Sequence, residues 1–193
     1  MKTICIAGAA SGVGKTVLCE KLLEKSRNWA ACKVTTCIGG TRHICPRGKA
    51  NCGVCNSLKA DYEILEEERS STSRKDTQRL LKAGAEAVLW VKTKPGFLKI
   101  SVEAAIARLK DYDGIVFEGN HVLEVLEPDI AVMIRPRDIR LKSSAKKILG
   151  RVNIFLESID ETKICEIIKI LGGQECRSTI KKGFLKNPGL RSG

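Results

Sequence analysis

Two short stretches carry residue types whose spacing could do chemistry. The first is "AASGVGKT", Ala9 to Thr16, behind the apolar opening "KTICIAG". It fits G-x-x-x-x-G-K-S/T, with Ala9 in the place of the first glycine and Gly8 beside it. In such a loop the backbone N–H groups of Ala10, Ser11, Gly12, Val13 and Gly14 turn toward phosphate oxygens. The helix that follows, through Val17, adds the positive end of its dipole. Lys15 would reach the terminal phosphates, and the Thr16 hydroxyl would ligate Mg²⁺. The second stretch is "CIGGTRHICPRGKANCGVC", with Cys37, Cys45, Cys52 and Cys55 spaced C-x7-C-x6-C-x2-C. Two residues between thiolates suit chelation of one metal or cluster. Between Cys37 and Lys59 there are four Lys or Arg and no acid, a setting that favours thiolates. His43 could replace one cysteine. Two centres stay open, a [4Fe–4S] cluster and Zn²⁺; the single C-x2-C knuckle and the long gaps favour the cluster. The simpler reading is a loop of free thiols or a redox pair, Cys52 with Cys55.

A phosphate cradle with Mg²⁺ needs a carboxylate at a neighbouring strand end. "YDGIVFEGN" supplies Glu118, after a nearly all-apolar run; Asp113, at the start of that run, is the weaker candidate. Lys33 in "CKVTT" belongs near the phosphates or merely in solvent.

The elements that must position these residues alternate. "KTICIAG", "WAACKVTT", "EAVLWVKT", "GIVFEGN", "DIAVMI" and "RVNIFLE" read as strands. "KTVLCEKLLEKS", "KDTQRLLKAGA", "SVEAAIARLKDY" (with Ser101 as cap) and "DETKICEIIKILGG" read as helices, and "DYEILEEERS" as an acidic helix or ordered loop. The alternation predicts an α/β fold: a mainly parallel sheet flanked by helices, with ligands at the carboxyl ends of the strands. Residues 1–175 form one domain with a cysteine-rich insertion at 37–59, and 176–193 a basic tail.

The 193 residues carry a net charge of +12, which fits an anionic partner or a solvated basic surface. Seven bases and one acid, Asp138, fall between Arg135 and Arg151. Aromatics at 4% offer no stacking platform, which argues against nucleic acid. No apolar run reaches membrane-spanning length and no signal peptide opens the chain, so a cytoplasmic protein is expected. Nine cysteines without a secretory signal argue against a disulfide scaffold; those outside the cluster read mostly as small hydrophobes.

"AASGVGKT", "KVT", "KDTQRLLKAGAEAV" and "YDGIVFEGN", in that order over residues 1–120, resemble the molybdopterin-guanine dinucleotide biosynthesis protein B family. That family belongs to the P-loop class of dethiobiotin synthetase and the nitrogenase iron protein. The resemblance implies GTP binding with slow hydrolysis in support of cofactor assembly, with a metal-cofactor biosynthesis protein as partner. It would place Asp76 near Mg²⁺ or the γ-phosphate; by itself Asp76 reads as a helix start. Two departures stand out. The cysteine loop replaces the family's His-rich stretch. Ala10 stands where the iron-protein relatives carry a second lysine, which leaves dimer-coupled hydrolysis without support, although a homodimer is compatible with the chain. "RPRD" puts Asp138 in the last place of a guanine-reading N-K-x-D but lacks its Asn and Lys, so GTP and ATP stay open. Three functions compete: a slow Mg²⁺-dependent NTP hydrolase, a nucleotide-gated metal or cluster carrier, and a small-molecule kinase or ligase using Asn120 and His121.

Overall fold

The computed structural model describes residues 1–37, 52–69 and 75–172. The apolar runs form β1 (Lys2–Gly8), β2 (Trp29–Thr36), β3 (Tyr62–Glu66), β4 (Val88–Thr93), β5 (Gly114–Glu118), β6 (Ile130–Ile134) and β7 (Ile154–Leu156). Between and after them lie α1 (Lys15–Leu23), α2 (Gly53–Ser57), α3 (Asp76–Lys82), α4 (Leu98–Arg108), α5 (Ser143–Lys147) and α6 (Glu161–Ile170). Among the described residues the strands form one seven-stranded sheet, ordered β3-β4-β2-β5-β1-β6-β7. Every pairing is parallel except β3 with β4. The expected α/β architecture is therefore present.

The central strands bury nearly every residue, as strands covered on both faces must. One face packs Ile4, Ile6, Val116 and Val132 under α1, α3 and α6 through Leu18, Leu22, Leu80 and Ile167. The other packs Cys5, Cys32, Phe117 and Met133 under α4 and α5 through Leu98, Val102 and Ala145. Cys5, Cys19 and Cys32 are fully buried, and burial pushes each thiol above its ordinary range, so they act as neutral hydrophobes. α6 is capped by Asp160, whose carboxylate accepts from the Lys163 N–H at 2.9 Å.

Two expectations need correction. "DYEILEEERS" contributes a strand, not a helix: β3 runs antiparallel along β4, Ile64 packs onto the core, and Glu63 pairs with the buried Lys92. Cross-strand pairing outweighs the low β-propensity of its acids. Ser101 does not cap α4. The helix begins at Leu98, behind a 3₁₀ turn opened by Pro95, and buried Ser101 donates to the Leu98 carbonyl. Residues 176–193, Cys45, Cys176 and His43 lie outside the described residues.

Candidate functional site

β1, β5 and β2 all end at the same edge of the sheet, and the register there fixes a row of side chains. Ile6, Glu118 and Lys33 are in-register neighbours on β1, β5 and β2. In a parallel sheet such partners share a face, so Lys33 is beside Glu118 by construction. The chain leaves β1, loops through Ala9–Gly14 and enters α1 over this row. Gly14, the residue before α1, sits at φ +100°, which a side chain rarely tolerates, and a Cβ there would come 2.9 Å from Ile159 Cδ1.

The loop is tied down at several points. The Ala9 N–H donates to the Ile134 carbonyl at 2.9 Å, and the Lys142 N–H donates to the Ala9 carbonyl at 2.9 Å. Buried Asn120 clamps the end of β1: the Gly8 N–H donates to its Oδ1 and its Nδ2 donates to the Gly8 carbonyl, both at 3.0 Å. Gly119 lets the chain turn from Glu118 into this clamp. Its φ is +154°, and a Cβ there would lie 2.8 Å from the Val34 carbonyl oxygen.

A cavity of about 500 Å³ opens above the strand ends. Ser11, Gly12, Gly14, Lys15, Thr16, Val17, Lys33, Asp76 and Glu118, all expected site residues, line it. Ala10 and Val13 do not; the Val13 side chain packs on the core. Thr16 Oγ1 donates to Glu118 Oε2 at 3.1 Å. Lys33 Nζ pairs with Asp76 Oδ2 and lies 3.5 Å from Glu118 Oε1. Burial holds the Lys15 ammonium below its ordinary range; Glu118 opposes this and Lys33 adds to it. Asp76 opens α3, and Arg79 of the same helix is held in a two-pronged pair with Glu20 of α1, both bonds 2.7 Å. That pair fixes the helix carrying Asp76 against the helix carrying Thr16.

Cys52 and Cys55 line the far wall of the same cavity. Cys37, the residue after β2, is buried, with Sγ 4.0 Å from the Val54 carbonyl of α2. Among the described residues, no three His, Cys, Asp or Glu side chains are spaced to hold a metal ion together. Cys45, the remaining ligand of the expected four, is outside them.

Two weaker candidates are displaced. Asp113 sits at the opposite end of β5, where its backbone bonds Lys2 and Asn28. Asp138 is exposed and does not line the cavity. His121 does line it, with Nδ1 2.6 Å from Glu124 Oε1. Asn120 borders the cavity too, but its amide is used in clamping the loop. Thr35, Thr36, Arg79, Lys142 and Ser144 also line it and had no motif to mark them. Thr36 is the most telling: its hydroxyl is buried and, among the described residues, has no hydrogen-bond partner. Such a group at a cavity wall is a place for a ligand atom or a water.

No protein-family model matches the chain, and no curated protein or solved structure matches it either. Among the described residues no helix is long and apolar enough to cross a membrane.

Proposed function

We propose that the protein is a Mg²⁺-dependent P-loop nucleoside triphosphatase, similar to the molybdopterin-guanine dinucleotide biosynthesis protein B family, that serves metal-cofactor maturation. The observation that carries the reading is the Thr16–Glu118 contact of 3.1 Å at the mouth of a strand–loop–helix unit, with Lys15, Lys33 and Asp76 around it. A hydroxyl and a carboxylate side by side are hard oxygen donors, the set that suits Mg²⁺. Thr16 and Glu118 would hold the ion, which supplies charge neutralisation at the phosphates and a Lewis acid for phosphoryl transfer. The loop N–H groups bind phosphate oxygens. Lys15, desolvated and aimed into the cavity, binds them as a charge. Glu118 orients the attacking water, and Asp76 helps to hold Lys33 beside it.

The thiol wall favours a second reading, a nucleotide-gated metal or cluster carrier in which hydrolysis is incidental. Its observation is that Cys52 and Cys55 share the cavity with the Ala9–Gly14 loop and with the Thr36 hydroxyl, which has no partner among the described residues. Cysteine thiolates suit a [4Fe–4S] cluster or Zn²⁺ and not Mg²⁺, so the two walls select different metals. Phosphate release from ATP and from GTP, with Mg²⁺, decides between these readings when measured on protein purified without oxygen and assayed for iron and zinc. Turnover that requires Mg²⁺ and vanishes in Lys15→Ala supports the hydrolase. Tight nucleotide and metal binding with no turnover supports the carrier. Absence of triphosphate binding overturns both.

A further inference from the structure

The arrangement of Lys33 is unusual for a group at a cation site. Its side chain is 9% exposed and that of Glu118 is 7% exposed. Buried charges of this kind are screened little by salt, and a lone buried carboxylate is costly. The Glu118 carboxylate needs a counter-ion, and the register of β2 against β5 places one beside it. Asp76, from α3, closes on the same ammonium. Around the cavity floor the ammonium groups of Lys15 and Lys33 balance the carboxylates of Asp76 and Glu118, while Arg79 and Glu20 balance each other. Lys142 lines the cavity as well, so without ligand its lining carries no excess of negative charge.

We infer that Lys33 is a built-in surrogate cation: in the nucleotide-free protein its ammonium occupies the carboxylates that would receive a divalent ion, so the ion enters only together with a nucleotide. The inference rests on the reading of this cavity as a Mg²⁺–nucleotide site and adds a rule for the order of binding. A free divalent ion would meet the resident ammonium groups of Lys15, Lys33 and Lys142 and no spare negative charge. A triphosphate changes the balance. Its oxygens offer Lys33 new acceptors, and a lysine's four-carbon stem lets the ammonium move while its backbone stays in the sheet. Glu118 is then released to the metal that arrives with the phosphates. No covalent step is involved; one buried counter-ion replaces another. Lys33 is thus a positioning residue for the metal and a direct ligand of the phosphates only after the exchange.

The test uses Mn²⁺ as a stand-in for Mg²⁺, with free ion counted by its paramagnetic resonance signal, on the whole chain. Wild type without nucleotide should bind Mn²⁺ no more tightly than about millimolar, and with a non-hydrolysable ATP or GTP analogue at least tenfold more tightly. Lys33→Met and Lys33→Gln should raise nucleotide-free Mn²⁺ affinity about tenfold or more, since Asp76 and Glu118 lose the counter-ion they share, while weakening binding of the analogue. The inference is overturned if wild type alone takes up Mn²⁺ in the micromolar range, or if either folded variant leaves nucleotide-free Mn²⁺ binding unchanged. The wild-type titration decides the matter even if both variants fail to fold. Analogue binding is scored separately: its absence removes the nucleotide reading, whereas nucleotide-free Mn²⁺ binding bears on Lys33 alone.

Discussion

The two walls of the cavity are built differently. The wall formed by the Ala9–Gly14 loop is held by backbone bonds to β6 and to the segment before α5, by the Asn120 clamp, and by the Arg79–Glu20 pair. The thiol wall stands on α2, a helix of five residues that buries none of them. The first wall is fixed by these bonds, the organisation that the proposed phosphate binding by fixed dipoles requires. A metal bound by the thiolates of the second wall, as proposed, would add order to it. Ligand loss should therefore affect the two walls unequally, and substitutions can be chosen to separate them.

The largest expected effect is on the rigid wall. Lys15→Ala should lower triphosphate affinity by more than about a hundredfold, because a desolvated ammonium is the site's direct charge for the phosphates. Isothermal titration with ATP and GTP measures it, and an unchanged circular dichroism spectrum shows that the fold persists. Equal affinity in variant and wild type would mean that the loop does not bind phosphate.

Next comes Glu118→Gln. It retains the shape of the side chain and its hydrogen bond from Thr16, but removes the charge that a metal and an attacking water need. Hydrolysis should fall by about two orders of magnitude while nucleotide binding is retained. Unchanged turnover would make Glu118 structural and shift the role to Asp76.

A smaller effect tests how much the rigid wall depends on its backbone. Gly119→Ala places a methyl group where the Val34 carbonyl lies 2.8 Å away, at a φ of +154°. Strain of this kind costs about 1–3 kcal/mol. The urea midpoint should drop accordingly, and nucleotide affinity should weaken with it, since Asn120 follows directly and clamps Gly8. A variant as stable as wild type would show that the turn after β5 relaxes without cost and that the clamp is not fixed by it.

The same contrast explains what could be read from the chain. The strand–loop–helix unit at Lys2–Leu23 is legible because its residues are contiguous and its signals local: glycines, a lysine and a threonine between an apolar strand and a helix. Glu118 was legible as the acid that ends an apolar strand. Lys33 was marked only as a residue near the phosphates; its partnership with Glu118 depends on β2 lying next to β5, a long-range register. The Asn120 clamp spans 112 residues and the Arg79–Glu20 pair spans 59, so neither has a local pattern. β3 was misread because its acids suppress a strand signal that Lys92, on the neighbouring strand, restores. The grouping of Cys52 and Cys55 was visible in their spacing, whereas their position facing the phosphate loop required the fold.

The smallest effect on the nucleotide, and the sharpest separation of the walls, is expected from the thiols. Cys52→Ser and Cys55→Ser should each reduce bound iron or zinc strongly, because a two-residue spacing makes them the tightest chelating pair in the chain. Cys37→Ser and Cys45→Ser should reduce it less severely, and Cys5→Ser not at all, because Cys5 is fully buried in the sheet with a thiol that burial keeps protonated. Triphosphate affinity in the Cys52 and Cys55 variants should stay within about threefold of wild type, since the bonds that tie the loop down run to Ile134 of β6, to Lys142 before α5 and to Asn120 after β5. Metal analysis after purification without oxygen, paired with a nucleotide titration on the same samples, reads both walls at once. If all four cluster variants keep the wild-type metal content, or wild type carries neither iron nor zinc, the thiol wall is not a metal site. If metal loss instead removes nucleotide binding, the two walls are one cooperative unit, and the rigidity of the phosphate loop depends on the thiols that face it.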